Sequence, residues 1–120
     1  MGRMEKTYIR KREKKYAIYS LFDKKRLTKY YDNIEELEEN VYIAKDEKTG
    51  KFAFLSSRFS TKTEYKEIIK VLDTGINEYL YIGIVAEEER TDILTKIDKI
   101  NIKELSEKEY NKIINLLPKN

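Results

Sequence analysis

The sequence predicts an α+β protein: an antiparallel sheet built from hairpins, with about three helices packed on one face, in the order hairpin–helix, hairpin–helix, strand–helix. Three observations predict it. Short β-branched and aromatic runs are divided by polar turn residues, as hairpins require. Two Ser/Thr-x-x-Glu capping boxes each precede apolar residues at i, i+3, i+4 and i+7. The 120-residue length suits a single domain spanning 1–120.

Lys15–Phe22 reads as a strand with Tyr16, Ile18 and Phe22 on one face, and Leu27–Tyr31 as its return after the Asp23–Arg26 turn. Residues 1–13 read as a basic, flexible N-terminal segment. Asp32–Asn40 reads as a short helix: Asp32 or Asn33 caps it, glutamates fill the first turn, and Ile34, Leu37 and Val41 share a face. Val41–Lys45 and Lys51–Leu55 form a second hairpin, with Gly50 supplying positive φ and Phe52 and Phe54 turned inward.

Thr61 and Glu64 box a second helix carrying Tyr65, Ile68, Ile69 and Leu72, stopped by Gly75. Glu78–Glu87 is a buried strand. Residues 91–105 suit helix or strand in their first half and strand in their second. Ser106 and Glu109 box the last helix; Leu105 staples onto Tyr110, Ile113, Ile114 and Leu117 complete the stripe, and Pro118 ends it. Tyr65–Leu72 (YKEIIKVL) and Tyr110–Leu117 (YNKIINLL) match closely. Their flanks do not align, so two similar amphipathic helices explain the match better than a duplication.

Composition excludes much chemistry. The chain has no Cys and no His, which removes disulfides, thiolate nucleophiles, the commonest zinc ligands and the usual general base near neutral pH. No catalytic residue, metal ligand or cofactor site is assigned. The acidic clusters Asp32–Glu39 and Glu87–Glu89 lack the spaced ligands and glycine of a calcium loop and read as a charged helix start and a solvated turn. Lys48–Lys51 lacks the leading glycine of a phosphate loop. No apolar run approaches the ~20 residues that span a bilayer, and no apolar segment follows the basic N-terminus, so the location expected is cytoplasmic, without membrane contact.

Charge is divided unevenly. Residues 1–31 hold eleven Lys/Arg against three Asp/Glu, a balance of +8, whereas the remainder carries −5. The basic part interleaves with aromatics. The candidate contact residues are therefore Arg10, Lys11, Arg12, Lys14, Lys15, Lys24, Lys25, Arg26, Tyr30 and Tyr31. Cations for phosphates and flat rings for bases are what single-stranded nucleic acid binding needs. Packed rings in a hairpin with a solvated basic flank are the alternative.

Ala17-Ile18-Tyr19 and Tyr81-Ile82-Gly83 are similar to the two halves of the GIY-YIG nuclease signature, but most of the chain separates them and the first glycine is missing. Glu64-Tyr65-Lys66 imitates an E-x-K nuclease triplet of a kind expected by chance in so charged a chain. A His-free, metal-dependent nuclease is the minor alternative on the enzyme side. The expected function is that of a small, non-catalytic protein-binding domain, an inhibitor or immunity-type protein of the kind that includes phage and mobile-element anti-CRISPR proteins, acting on a larger nucleic-acid-handling machine. The second reading is a nucleic-acid-binding module using the basic, Tyr-rich hairpin. Ten tyrosines offer stiff contact area for a larger protein partner, and homo-oligomer formation stays open.

Overall fold

A computed structural model describes residues 6–117. They form nine strands in three antiparallel sheets and a single α-helix. The strands are β1 (Thr7–Arg12), β2 (Lys15–Ser20), β3 (Asn33–Glu38), β4 (Val41–Asp46), β5 (Lys51–Ser56), β6 (Glu67–Asp73), β7 (Glu78–Val85), β8 (Arg90–Leu94) and β9 (Lys99–Asn101). A 3-10 turn, Ile102–Glu104, leads into α1 (Glu107–Leu116). The sheets run β1-β2, β3-β4-β5 and β6-β7-β8-β9. A sheet covered by three helices is thus corrected to a mostly β fold.

Both missing helices are strands because groups from elsewhere in the chain engage their expected caps. At Asp32–Asn40 the expected cap is engaged elsewhere: the Asp32 carboxylate accepts from Lys15 Nζ at 2.5 Å and from the backbone N–H of Glu47 at 2.9 Å. The segment that follows pairs with β4 as β3, Ile34 opposite Ala44. At Thr61 the hydroxyl accepts from the N–H of Phe54 at 2.9 Å rather than from its own downstream backbone, and Glu64 donates its N–H to the carbonyl of Phe52. A side chain bound sideways to β5 cannot cap a helix. Beyond it the chain becomes β6, where burial has period two: Ile69 is partly buried and Val71 and Asp73 fully, while Leu72 is exposed.

Other expectations hold in part: Leu27–Tyr31, expected as a strand, forms no strand and contributes an isolated bridge at Tyr31, and Phe22, expected on the face of Tyr16 and Ile18, is exposed. The β4–β5 hairpin turns at Gly50 with φ 70°, and β7 covers Glu78–Val85 of the strand expected over Glu78–Glu87. Residues 90–94 and 99–101 both prove to be strand. Ser106 accepts from the N–H of Glu109 at 3.2 Å and caps α1. The apolar stripe is rotated, however: Ile113 is buried, while Tyr110 and Ile114 are 41% and 40% exposed. Pro118 lies outside the described residues. Among those described, no helix is long and apolar enough to cross a membrane.

One scheme recurs along the chain. The hairpins β1–β2, β4–β5 and β7–β8 each turn on a residue of positive φ, Glu13 (59°), Gly50 (70°) and Glu89 (48°). After each second strand Ser20, Ser56 or Thr95 donates its N–H to a carbonyl a few residues on, that of Lys25, Phe59 or Asp98. The chain then returns along the second strand. Thr28 Oγ1 accepts from Ile18 N–H and donates to the Lys29 carbonyl, just as Thr61 Oγ1 accepts from Phe54 N–H and donates to that of Lys62. In the third passage β9 holds this place, Ile100 opposite Ile93. Tyr31 and Tyr65 precede β3 and β6, which turn through Asn40 (63°) and Asn77 (54°) into the next hairpin. Tyr8-Ile9, Tyr42-Ile43 and Tyr81-Ile82 mark the three starts. A β-β-return-β unit of a few tens of residues is therefore used repeatedly, within the range of periods typical of repeat proteins. The third copy ends in α1 instead of a strand.

The chain forms two compact units, Met1–Glu64 and Tyr65–Asn120. The first centres on Ile18, Tyr31, Ile34, Tyr42 and Leu55, with Ile9 and Tyr16 packed against them. The second centres on Val71, Ile82, Ile93, Ile102 and Ile113. There α1 is tied to β6 by Lys112 Nζ, 2.9 Å from the buried Asp73 carboxylate.

Candidate functional site

Thr7–Arg12, within the segment read as a flexible flank, is the strand that organises the basic residues. Alternation along β1 puts Tyr8, Arg10 and Arg12 on one face, opposite Tyr19, Ala17 and Lys15 of β2. Ile9, Ile18 and Tyr16 point the other way and join the core. The pleat thus separates a cationic, tyrosine-lined face from the apolar one.

On that face each ring carries a cation. Arg10 lies 5.2 Å from the Tyr19 ring centroid, Lys24 5.6 Å from that of Tyr8, and Arg26 4.7 Å from that of Tyr30. The Tyr8 and Tyr19 rings stand 5.9 Å apart. The return segment after β2 places the Tyr30 hydroxyl 2.7 Å from that of Tyr19. Beside them an open cavity of about 320 Å³ is lined by Arg12, Glu13, Lys15 and Tyr30.

The electrostatics follow from this grouping. The hydrogen bond from Tyr19, then those from Arg26 and Arg12, stabilise a phenolate at Tyr30 and lower its pKa from 10.0 to about 8. The same Tyr19–Tyr30 bond raises Tyr19, since it favours the protonated donor. Arg12 is raised in turn, first by its hydrogen bond to Tyr30. Lys15 and Asp32 stabilise each other's charge: the lysine is raised and the carboxyl lowered, each chiefly by their mutual bond.

Of the predicted residues, Arg10, Arg12, Lys15, Lys24, Arg26 and Tyr30 gather on this face. Lys11 lies on the opposite pleat, its Nζ 5.7 Å from the Tyr16 ring. Lys14 is exposed in the turn. Lys25 is exposed, with its N–H bonded to the Asp23 carboxylate at 3.0 Å. Tyr31 is a core residue, 6% exposed, with Lys29 Nζ 5.3 Å from its ring. Tyr19 and Lys29 were not singled out from sequence. Reading Thr7–Arg12 as a strand turned at Glu13 would have placed Tyr19 opposite Tyr8.

Of the acidic clusters, Asp32 reaches Lys15 at the edge of this face, while Glu35 and Glu36 lie exposed on β3 and Glu87–Glu89 in the β7–β8 turn, where Glu88 pairs with Arg90 at 2.5 Å. Among the described residues no group of three or more acidic side chains is placed to hold a metal ion. Guanidinium groups braced on ring faces suit oxyanions, because their fork is already oriented for bidentate hydrogen bonding. No protein-family model, curated protein or solved structure matches this chain.

Proposed function

We propose that the chain is a non-catalytic binding module whose β1–β2 face docks on an acidic segment of a larger protein partner. The observation that carries this reading is the bracing of Arg10 and Arg26 on Tyr19 and Tyr30. A pre-oriented cation loses less entropy when it meets a carboxylate. The same stacking disfavours base recognition, since a ring face covered by the chain's own arginine is not open to a nucleobase, and Tyr31 is buried. Nucleic acid would then engage these braced tyrosines mainly through its phosphates.

The test is an affinity capture from the native host with and without nuclease, using the wild type and the triple variant Arg10→Glu, Arg12→Glu, Arg26→Glu. Capture of a protein that survives nuclease and is lost in the variant, at unchanged melting temperature, supports the reading. Nuclease-sensitive capture overturns it in favour of nucleic acid, especially if oligonucleotide affinity falls with salt by about 0.7–0.9 in log–log slope per phosphate contact.

A further inference from the structure

The three hairpins differ in one respect. β4 lies between β3 and β5, and β7 between β6 and β8, but among the described residues β1 pairs with β2 alone. We infer that the outer edge of β1 is a strand-addition site, filled by an acidic extended segment of the partner protein in the way β3 fills the edge of β4. This rests on the docking reading above and specifies its geometry.

Hydrogen bonding shows which groups that edge offers. Leu21 donates its N–H to the Lys6 carbonyl at 2.9 Å. In an antiparallel ladder, bonded pairs alternate with non-bonded ones. Lys6, Tyr8, Arg10 and Arg12 therefore turn their backbone groups toward β2, while Thr7, Ile9 and Lys11 turn theirs outward. Thr7 bears this out, because its N–H donates to Asn40 Oδ1 at 2.9 Å. Among the described residues, the backbone groups of Ile9 and Lys11 remain to receive a strand. The far side of β2 is taken: Tyr16 exchanges two bonds with Tyr31, and the carbonyl of Ile18 accepts from Leu27.

The occupant's chemistry follows from the repeated scheme and from charge. The segment covering β4 is Asn33-Ile34-Glu35-Glu36-Leu37-Glu38, acidic and antiparallel. β1 itself ends Arg10-Lys11-Arg12. Opposite charges across a strand pair stabilise it, and like charges oppose it. A basic edge thus rejects a second copy of itself, a common protection for exposed strands. It accepts an acidic strand, with backbone bonds supplying affinity and side chains the selection.

The experiment uses the whole chain, ¹⁵N-labelled, and a probe peptide copying its own residues 32–39. Two variant peptides accompany it, one with every acidic residue replaced by lysine and one N-methylated at alternate amides. Expected are protection of the Ile9 and Lys11 amides from hydrogen exchange on adding the acidic peptide, and roughly tenfold weaker binding of the N-methylated one. Lys11→Pro, which removes an outward N–H, should weaken binding by a similar factor, while Lys11→Arg leaves it unchanged. If the N-methylated peptide binds as well as the parent, and binding is lost only in Arg10→Glu and Arg12→Glu, strand addition is wrong and the docking face stands. Failure of the acidic peptide to bind at low salt overturns both. The N-methylated peptide keeps the test decisive even if Lys11→Pro unfolds the hairpin.

Discussion

Gly83 lies in the middle of β7, and the space its side chain would fill belongs to Tyr65. A Cβ built there would stand 2.6 Å from Cδ1 and Cε1 of that ring and 3.1 Å from Leu94 Cδ1, well inside the ~3.5–4.0 Å at which carbon atoms sit comfortably. The ring has little freedom to retreat. Tyr65 is fully buried, and its hydroxyl donates to Asp92 Oδ2 at 2.7 Å, the same oxygen that Arg90 Nε approaches at 3.2 Å. Burial, and then that bond, hold the Tyr65 phenol well above its ordinary pKa, so it remains a donor. Gly83→Ala must therefore either overpack the site, at about 1–3 kcal/mol, or also stretch a hydrogen bond to a charged group worth about 1.5–3 kcal/mol. A more restricted unfolded chain returns about 0.4–1 kcal/mol. The net expectation is destabilisation of about 1–2 kcal/mol if the site only overpacks and about 2–5 kcal/mol if the hydrogen bond stretches as well, read by urea unfolding followed by circular dichroism. Combined with Tyr65→Ala, the Gly83→Ala change should cost far less than alone, because the clash has gone. A single variant within about 0.5 kcal/mol of wild type, or strict additivity in the double variant, would refute the packing argument.

Two further outcomes test other parts of the molecule. In a spectrophotometric pH titration of tyrosinate absorbance, the first phenol to ionise should do so near pH 8 and vanish in Tyr30→Phe, while Arg26→Gln should move it upward. Because the Tyr30 phenol is more acidic in the folded state than its ordinary 10.0, its contribution to stability is complete above pH 10 and is lost as pH falls through about 8. In α1, Ile113→Ala should cost about 2–5 kcal/mol, whereas Ile114→Ala should cost little, since only the first side chain is buried. Equal losses at the two positions would mean that the helix packs by the face the sequence suggested.

The octapeptides Tyr65–Leu72 and Tyr110–Leu117 show why some elements were legible and others were not. Both follow a Ser/Thr-x-x-Glu box and both carry the same apolar spacing, yet one leads into and forms most of β6 and the other lies in α1 and its C-cap, Leu117. The first box is undone by a competing donor, the N–H of Phe54, which comes within 2.9 Å of Thr61 only once β5 is in place. Isolated helices of this length are marginal in water, so such competition decides the outcome. Among the described residues Ser106 meets no rival donor, and it caps as expected. The true counterpart of Tyr65–Ile68 is Tyr31–Ile34. It escapes a search for identity because the two share their hydrogen-bonding scheme more than their residues.

The sequence by itself determined the absence of cysteine and histidine, the basic character of residues 1–31, the hairpin around Gly50, the strand β7 and the capped helix α1. These depend on residue identity, on glycine's freedom at positive φ and on bonds between near neighbours, all of which are local. Only the tertiary structure decided that Asp32–Asn40 and Tyr65–Leu72 are extended, that Tyr31 is core while Tyr30 stands between two arginines, and that among the described residues β1 pairs on one edge alone. Those outcomes depend on which backbone and side-chain groups arrive opposite one another from distant parts of the chain, and strand pairing is stabilised by its partner at least as much as by its own residues.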